Sequence, residues 1–118
     1  ASDVYKRQHF GWFISSSGDL ILNLPKKAAD RTGKLCIRFL NLPRHRIYTP
    51  QSIELLKDGE FYKKFPRLPG NTGEKGEITK SCLPVELKSN QQLTLRIKRA
   101  DKKKAQIAID EVSFIPQK

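Results

Sequence analysis

The feature that most constrains this chain is the spacing of its apolar residues, which recur at every second position rather than at the 3.6-residue interval of a helix. In GDLILNLP, Leu20, Leu22 and Leu24 alternate with Ile21 and Asn23 until Pro25 ends the run. In GKLCIRFLNLP, Leu35, Ile37 and Phe39 fall on one face and Cys36, Arg38 and Leu40 on the other. One face is wholly apolar and the other mixed, as expected of a strand near the centre of a sheet. In QQLTLRIKR, Leu93, Leu95 and Ile97 alternate with Thr94, Arg96 and Lys98, so one face meets a core and the cations turn to water.

Turn chemistry separates these runs. QSIELLKDGEFYKKF reads as a hairpin around Asp58-Gly59, a dipeptide that tolerates the positive φ of a type I′ turn. Its arms carry Ile53 and Leu55, then Phe61 and Phe65. PRLPGNTGEKGE, residues 66–77, is a loop rich in Pro, Gly and polar residues. Beyond it, ITKSCLPVEL gives a further strand with Ile78 and Cys82 in phase. IAIDEVSFIP gives the last, whose apolar phase shifts between Ile109 and Val112 as a bulge would cause. No segment carries a helical pattern. Short strands with turn signals between them predict an all-β fold, an antiparallel β-sandwich.

A chain of 118 residues is one domain by length and can bury roughly two thirds of its unfolded surface. No apolar stretch approaches the ~20 residues of a membrane-spanning helix. The net charge of +11 calls for a partner or an explanation. Lys and Arg gain affinity for polyanions by releasing condensed counterions. Here the basic residues are scattered, and the one dense cluster, RIKRADKKKAQ at 96–106, has no interleaved aromatic residue to stack on bases. That argues against nucleic acid as the partner. A solvated turn is the first reading of the cluster, with an anionic glycan or cell-surface polymer, and nucleic acid, as the alternatives. Cys36 and Cys82 can form one disulfide in an oxidising compartment or stand as two buried thiols, and their spacing leaves both open.

Few residues offer chemistry. His9 and His45 are the only histidines, and neither has a cysteine or second histidine at zinc-ligand spacing. No cofactor is implied, although Asp, Glu and backbone oxygens of the loops leave a hard cation such as calcium open. The Ser-rich segment ISSSGD has no base beside it and reads as a turn. Asp110 and Glu111, as neighbours on a strand, should point to opposite faces unless the bulge redirects one of them. The remaining cluster is LPRHRIYTP, residues 42–50. Arg44, His45 and Arg46 could address sugar hydroxyls while the Tyr48 ring stacks on a pyranose face. The competing reading makes Ile47 and Tyr48 plugs at the end of the sandwich with the arginines solvated around them. Trp12 poses the same choice between packing and binding.

These segments together resemble a known module. GDLILNLPKK, then KLCIRFLNLPRHRIYTPQSIELLKDGEFYKKF, then a closing IAIDEVSFI, are similar to the discoidin-like (F5/8 type C, galactose-binding-like) module. The copy at the C-terminus of bacterial β-N-acetylhexosaminidases of glycoside hydrolase family twenty is the nearer likeness. The signature residues are Ile47-Tyr48-Thr49-Pro50, Asp58-Gly59 with Phe61, and Asp110-Glu111-Val112. Where that family commonly carries Asn-Ser-Trp, this chain has Arg44-His45-Arg46. The resemblance implies a jelly-roll, galactose-binding-like sandwich that binds glycan, packs against a parent catalytic domain, or both. It implies no catalysis by the chain alone, because the family's catalytic Asp-Glu couple belongs to a (β/α)₈ barrel in a Gly-Gly-Asp-Glu context that AIDEV lacks. It implies a periplasmic, secreted or cell-surface location, which permits a Cys36–Cys82 bridge. A basic nucleic-acid-binding sandwich and a cell-surface adhesion domain remain the alternatives. Residues 1–8, ASDVYKRQ, hold no start Met and no apolar run, so they do not read as a targeting segment. They resemble a translated sequencing-library adapter and are expected to be a non-native leader to a module spanning 9–118.

Overall fold

The period-two runs become strands. In the computed structural model, which describes residues 8–9, 13–15, 18–26, 28–68 and 76–117, the runs give β3 (Leu20–Leu24), β4 (Arg31–Asn41), β5 (Ser52–Lys57), β6 (Glu60–Lys64), β7 (Glu77–Leu87), β8 (Leu93–Lys98) and β9 (Ile107–Pro116). Two further short strands, β1 (Gln8–His9) and β2 (Phe13–Ser15), were not marked by any alternation and both pair with β9. Gln8, the last residue of the suspected leader, is opposite Phe114. Among the described residues there is no α-helix.

One sheet runs β1-β9-β4-β7, with β2 also on β9, and the other runs β3-β8-β5-β6. The pairs β2·β9, β3·β8, β4·β7 and β5·β6 are all antiparallel and nest one inside the next. This is a single long hairpin folded over on itself, the jelly-roll order. β4 is central, as its apolar face predicts.

Alternation decides what the sheets bury. Leu35, Ile37, Phe39, Leu83, Val85, Leu87, Ile107, Ile109, Val112 and Phe114 of one sheet meet Leu24, Ile53, Leu55, Leu93, Leu95 and Ile97 of the other in one cluster with Phe65. Each such side chain contributes about 1.5–3 kcal/mol by leaving water. The backbones also approach closely. At Gly33 an added Cβ would lie 2.2 Å from the Ile115 carbonyl oxygen, so β4 and β9 can pair there only around a glycine.

Register shifts explain where simple alternation fails. Arg38 is opposite Glu111, yet Phe39 is opposite Ile109, leaving Asp110 as the extra residue of a bulge. Ile109 and Val112 are therefore both fully buried although three positions apart. A second shift in β5·β6 pairs Leu55 with Lys63 and Leu56 with Phe61. It turns Phe61 outward, 57% exposed, whereas Phe65 is buried in the core. Asp58 and Gly59 take φ of 49° and 84°, the two positive values a type I′ turn requires. In β7 the in-phase pair Ile78 and Cys82 lies on the outer face, while Leu83, Val85 and Leu87 face the core.

Pro84 sits inside β7 without cost to the ladder because β7 is an edge strand. Side chains from the β5–β6 hairpin cover that edge. Lys63 Nζ donates to the Pro84 carbonyl at 2.9 Å, Lys57 Nζ donates to that of Glu86, and the Glu86 amide donates to Tyr62 Oη at 3.2 Å. An edge so occupied is a poor template for another chain. Burial alone would push the Tyr62 phenol up, but the Glu86 amide and the charges of Lys57 and Lys63 outweigh it and hold the group below its ordinary value.

Cys36 and Cys82 face each other across β4 and β7 and form a disulfide, which resolves the choice the sequence left open. The bridge ties the central strand to the edge strand over a separation of 46 residues. Closing a loop of that length lowers the entropy of the unfolded chain by an amount worth about 4 kcal/mol. Replacing both cysteines with Ala should reduce the unfolding free energy in urea by about 2–5 kcal/mol. An unchanged midpoint would contradict a stabilising role for the bridge.

Candidate ligand-binding site

The chain leaves β4 through Leu42 and closes a 3-10 turn at Pro43–His45. Proline suits the start of such a turn, since its fixed φ is already helical and its missing N–H would have had no partner there. The His45 amide donates to the Leu42 carbonyl at 3.0 Å and the Arg46 amide to that of Pro43 at 2.9 Å. Arg46 then reverses the chain in the left-handed region, φ 61° and ψ 24°. Ile47 returns alongside Leu42, with amide-to-carbonyl distances of 2.8 and 3.2 Å in the two directions. Residues 42–47 thus form a small closed loop whose tip exposes Arg44, His45 and Arg46.

A second segment is laced to this loop. Ile47 pairs in parallel with Gln106: the Gln106 amide donates to the Arg46 carbonyl at 2.8 Å and the Tyr48 amide to that of Gln106 at 3.2 Å. The β8–β9 connection therefore lies against the β4–β5 connection. Its own turn is pinned from both flanks by guanidinium groups. Arg99 donates to the Lys102 carbonyl at 3.2 Å, and Arg46 reaches the Lys103 carbonyl at 3.4 Å. The Lys102 ammonium sits 5.5 Å from the centroid of the Tyr48 ring, within cation–π range. Tyr48 is half-buried, and Thr49 and Pro50 behind it are buried.

Of the residues singled out in the sequence, Arg44, His45, Arg46 and Tyr48 are brought together, whereas Trp12 lies outside the described residues. Tyr48 is half-buried, with the Lys102 ammonium over its ring. Arg99 and Lys102, Lys103 and Lys104 were missed as part of this site. The lack of an aromatic residue within 96–106 was a fair reading of that segment alone, but Tyr48 arrives from another loop. No local signal could have found it, since the Ile47–Gln106 pairing joins segments far apart in the chain. A polar cleft of about 360 Å³, lined by Asp19, Gln51, Lys98, Arg99, Ala100 and Asp101, adjoins the turn.

The carboxylate pair behaves differently from the simple strand expectation. The bulge at Asp110 turns both acids toward one guanidinium, with Arg38 Nη2 2.5 Å from Asp110 Oδ2 and Arg38 Nη1 3.9 Å from Glu111 Oε2. Both acids are engaged by the same cation. Among the described residues no group of three or more His, Cys, Asp or Glu is placed to hold a metal ion. No protein-family model matches the chain, and no curated protein matches it.

Arg46 occupies a backbone conformation that costs a non-glycine residue about 1–2 kcal/mol. Arg46→Gly should therefore leave the urea midpoint unchanged or raise it slightly. Arg46→Val, β-branched and poorly suited to that region, should lower stability by about 1–2 kcal/mol. Equal effects of the two substitutions would contradict the strained turn.

Proposed function

We propose that this chain is a non-catalytic glycan-binding module of a larger glycan-degrading enzyme, of the kind that closes bacterial β-N-acetylhexosaminidases, working in the periplasm, at the cell surface or outside the cell. The observation that carries the reading is the loop at 42–47. It holds Arg44, His45 and Arg46 exposed beside the Tyr48 ring, on a backbone closed by its own hydrogen bonds. Planar donors beside a ring suit a ligand whose hydroxyls need partners and whose C–H face needs an apolar contact. Sites of this kind are usually loops on a rigid scaffold, and the jelly roll is such a scaffold. The Cys36–Cys82 disulfide supports an oxidising compartment. The engagement of Asp110 and Glu111 with Arg38 supports a structural rather than an acid–base role for that pair.

Titrating N-acetylglucosamine and galactose oligosaccharides against the chain, followed by amide chemical-shift changes, tests the reading. Shifts should concentrate at 44–48, and Tyr48→Ala should weaken binding about tenfold or more, roughly 1.4 kcal/mol. Failure of the unaltered chain to bind any glycan, or turnover of a chromogenic glycoside by it, would contradict the proposal.

A further inference from the structure

The fold gathers at one end of the sandwich two clusters that are far apart in the chain. Residues 42–51 and 99–106 contain six permanent cations, Arg44, Arg46, Arg99, Lys102, Lys103 and Lys104, against the carboxylate of Asp101 and that of Asp19, which accepts from the Arg99 amide at 3.1 Å. Soluble surfaces normally intersperse the two signs, because like charges held together repel. Here they are held. The Tyr48–Gln106–Arg46 backbone bonds fuse the two loops, and two of the six cations spend their own donors on the carbonyls of the lysine turn. A merely solvated lysine run would need none of this. Arg44, Lys102, Lys103 and Lys104 are all exposed, so the ordering leaves their charges facing outward on a fixed backbone. A fixed cationic surface loses little further entropy when a polyanion arrives.

We propose that this fused pair of loops binds an anionic polysaccharide, one carrying sulfate or carboxylate groups along its chain. The inference rests on the glycan-binding reading above and names the class of glycan. Two observations favour a glycan over a nucleic acid. Tyr48 is the single aromatic residue of the two loops, one ring rather than the series of platforms on which successive bases would stack. The disulfide fits a compartment in which acidic polysaccharides are the ordinary polyanions. The polymer lies across both loops: the lysines and Arg44 meet its anionic groups, and the Tyr48 edge and His45 meet its sugar rings.

The test measures affinity of the chain for heparin, polygalacturonate, a neutral chitooligosaccharide and single-stranded DNA between low and high salt. Three variants accompany it: Lys102→Ala/Lys103→Ala/Lys104→Ala together, Lys103→Glu alone, and Lys88→Ala as a control. Lys88 follows β7, whose Leu87 pairs with Arg31 at the opposite end of β4 from the site. Circular dichroism checks that each variant folds. Heparin, polygalacturonate or both should bind at least tenfold more tightly than the neutral oligomer and than DNA; which of the two binds separates sulfate from carboxylate. The triple substitution should cut affinity tenfold or more and lower the log–log salt slope by about one per lost contact. Lys103→Glu should weaken binding in the same direction, and Lys88→Ala should not. A neutral oligomer bound as well as the acidic ones would overturn this inference and leave the glycan reading standing. DNA bound as tightly with the same variant response would overturn it in favour of nucleic acid, and no binding of any polymer would remove both readings.

Discussion

β4 is hydrogen-bonded to β9 on one side and β7 on the other, and its inner face carries Leu35, Ile37 and Phe39 into the space between the sheets. The rest of the architecture depends on that placement. With β4 central, β7 becomes an edge that accommodates Pro84, and β9 is left with a free side that β1 and β2 occupy. The same register brings Cys36 opposite Cys82 and Arg38 opposite Glu111. Non-local pairing of this kind is costly to initiate, because long loops must close before any contact rewards them. Once formed, the nested ladder and the single apolar cluster make each pair support the next.

The bulge at Asp110 shows how one inserted residue reorganises chemistry as well as packing. Without it, the apolar residues of β9 would lose phase with the core beyond Ile109. With it, Val112 and Phe114 return to the interior, and two neighbouring carboxylates converge on Arg38. The same principle operates at the loop end. Leu42 and Ile47 make a one-pair bridge, and Ile47 with Gln106 makes another, so an irregular segment is tied to its neighbours by sheet-like hydrogen bonds. The cations on it are therefore positioned by backbone hydrogen bonds rather than by ion pairs.

Much of the fold was legible because it follows from local alternation. Leu93, Leu95 and Ile97 entered the core and Arg96 and Lys98 faced water, and the phase shift near Val112 announced a bulge. What alternation could not reveal was register between strands. Phe61 and Phe65 share a phase in the sequence, yet the shift in β5·β6 turns Phe61 outward while Phe65 is buried, and Ile78 shares a phase with Cys82 on the face away from the core. β1 and β2 escaped because two or three residues are too short to show a period. At the site, Arg44, His45, Arg46 and Tyr48 were visible as a cluster with planar donors and a ring. Their union with Lys102, Lys103 and Lys104 was not, because only the folded chain brings residue 47 beside residue 106.

The most direct measurement of this arrangement is native-state amide hydrogen exchange at the two loops, read against the core strands. The Tyr48 and Gln106 amides, though outside the named strands, are hydrogen-bonded across the junction and should exchange far more slowly than the amides of Lys103 and Lys104, approaching the protection of β4. Exchange of Tyr48 and Gln106 at the unprotected rate, with β4 still protected, would mean that the loops are not fused and that the cationic surface is not preformed.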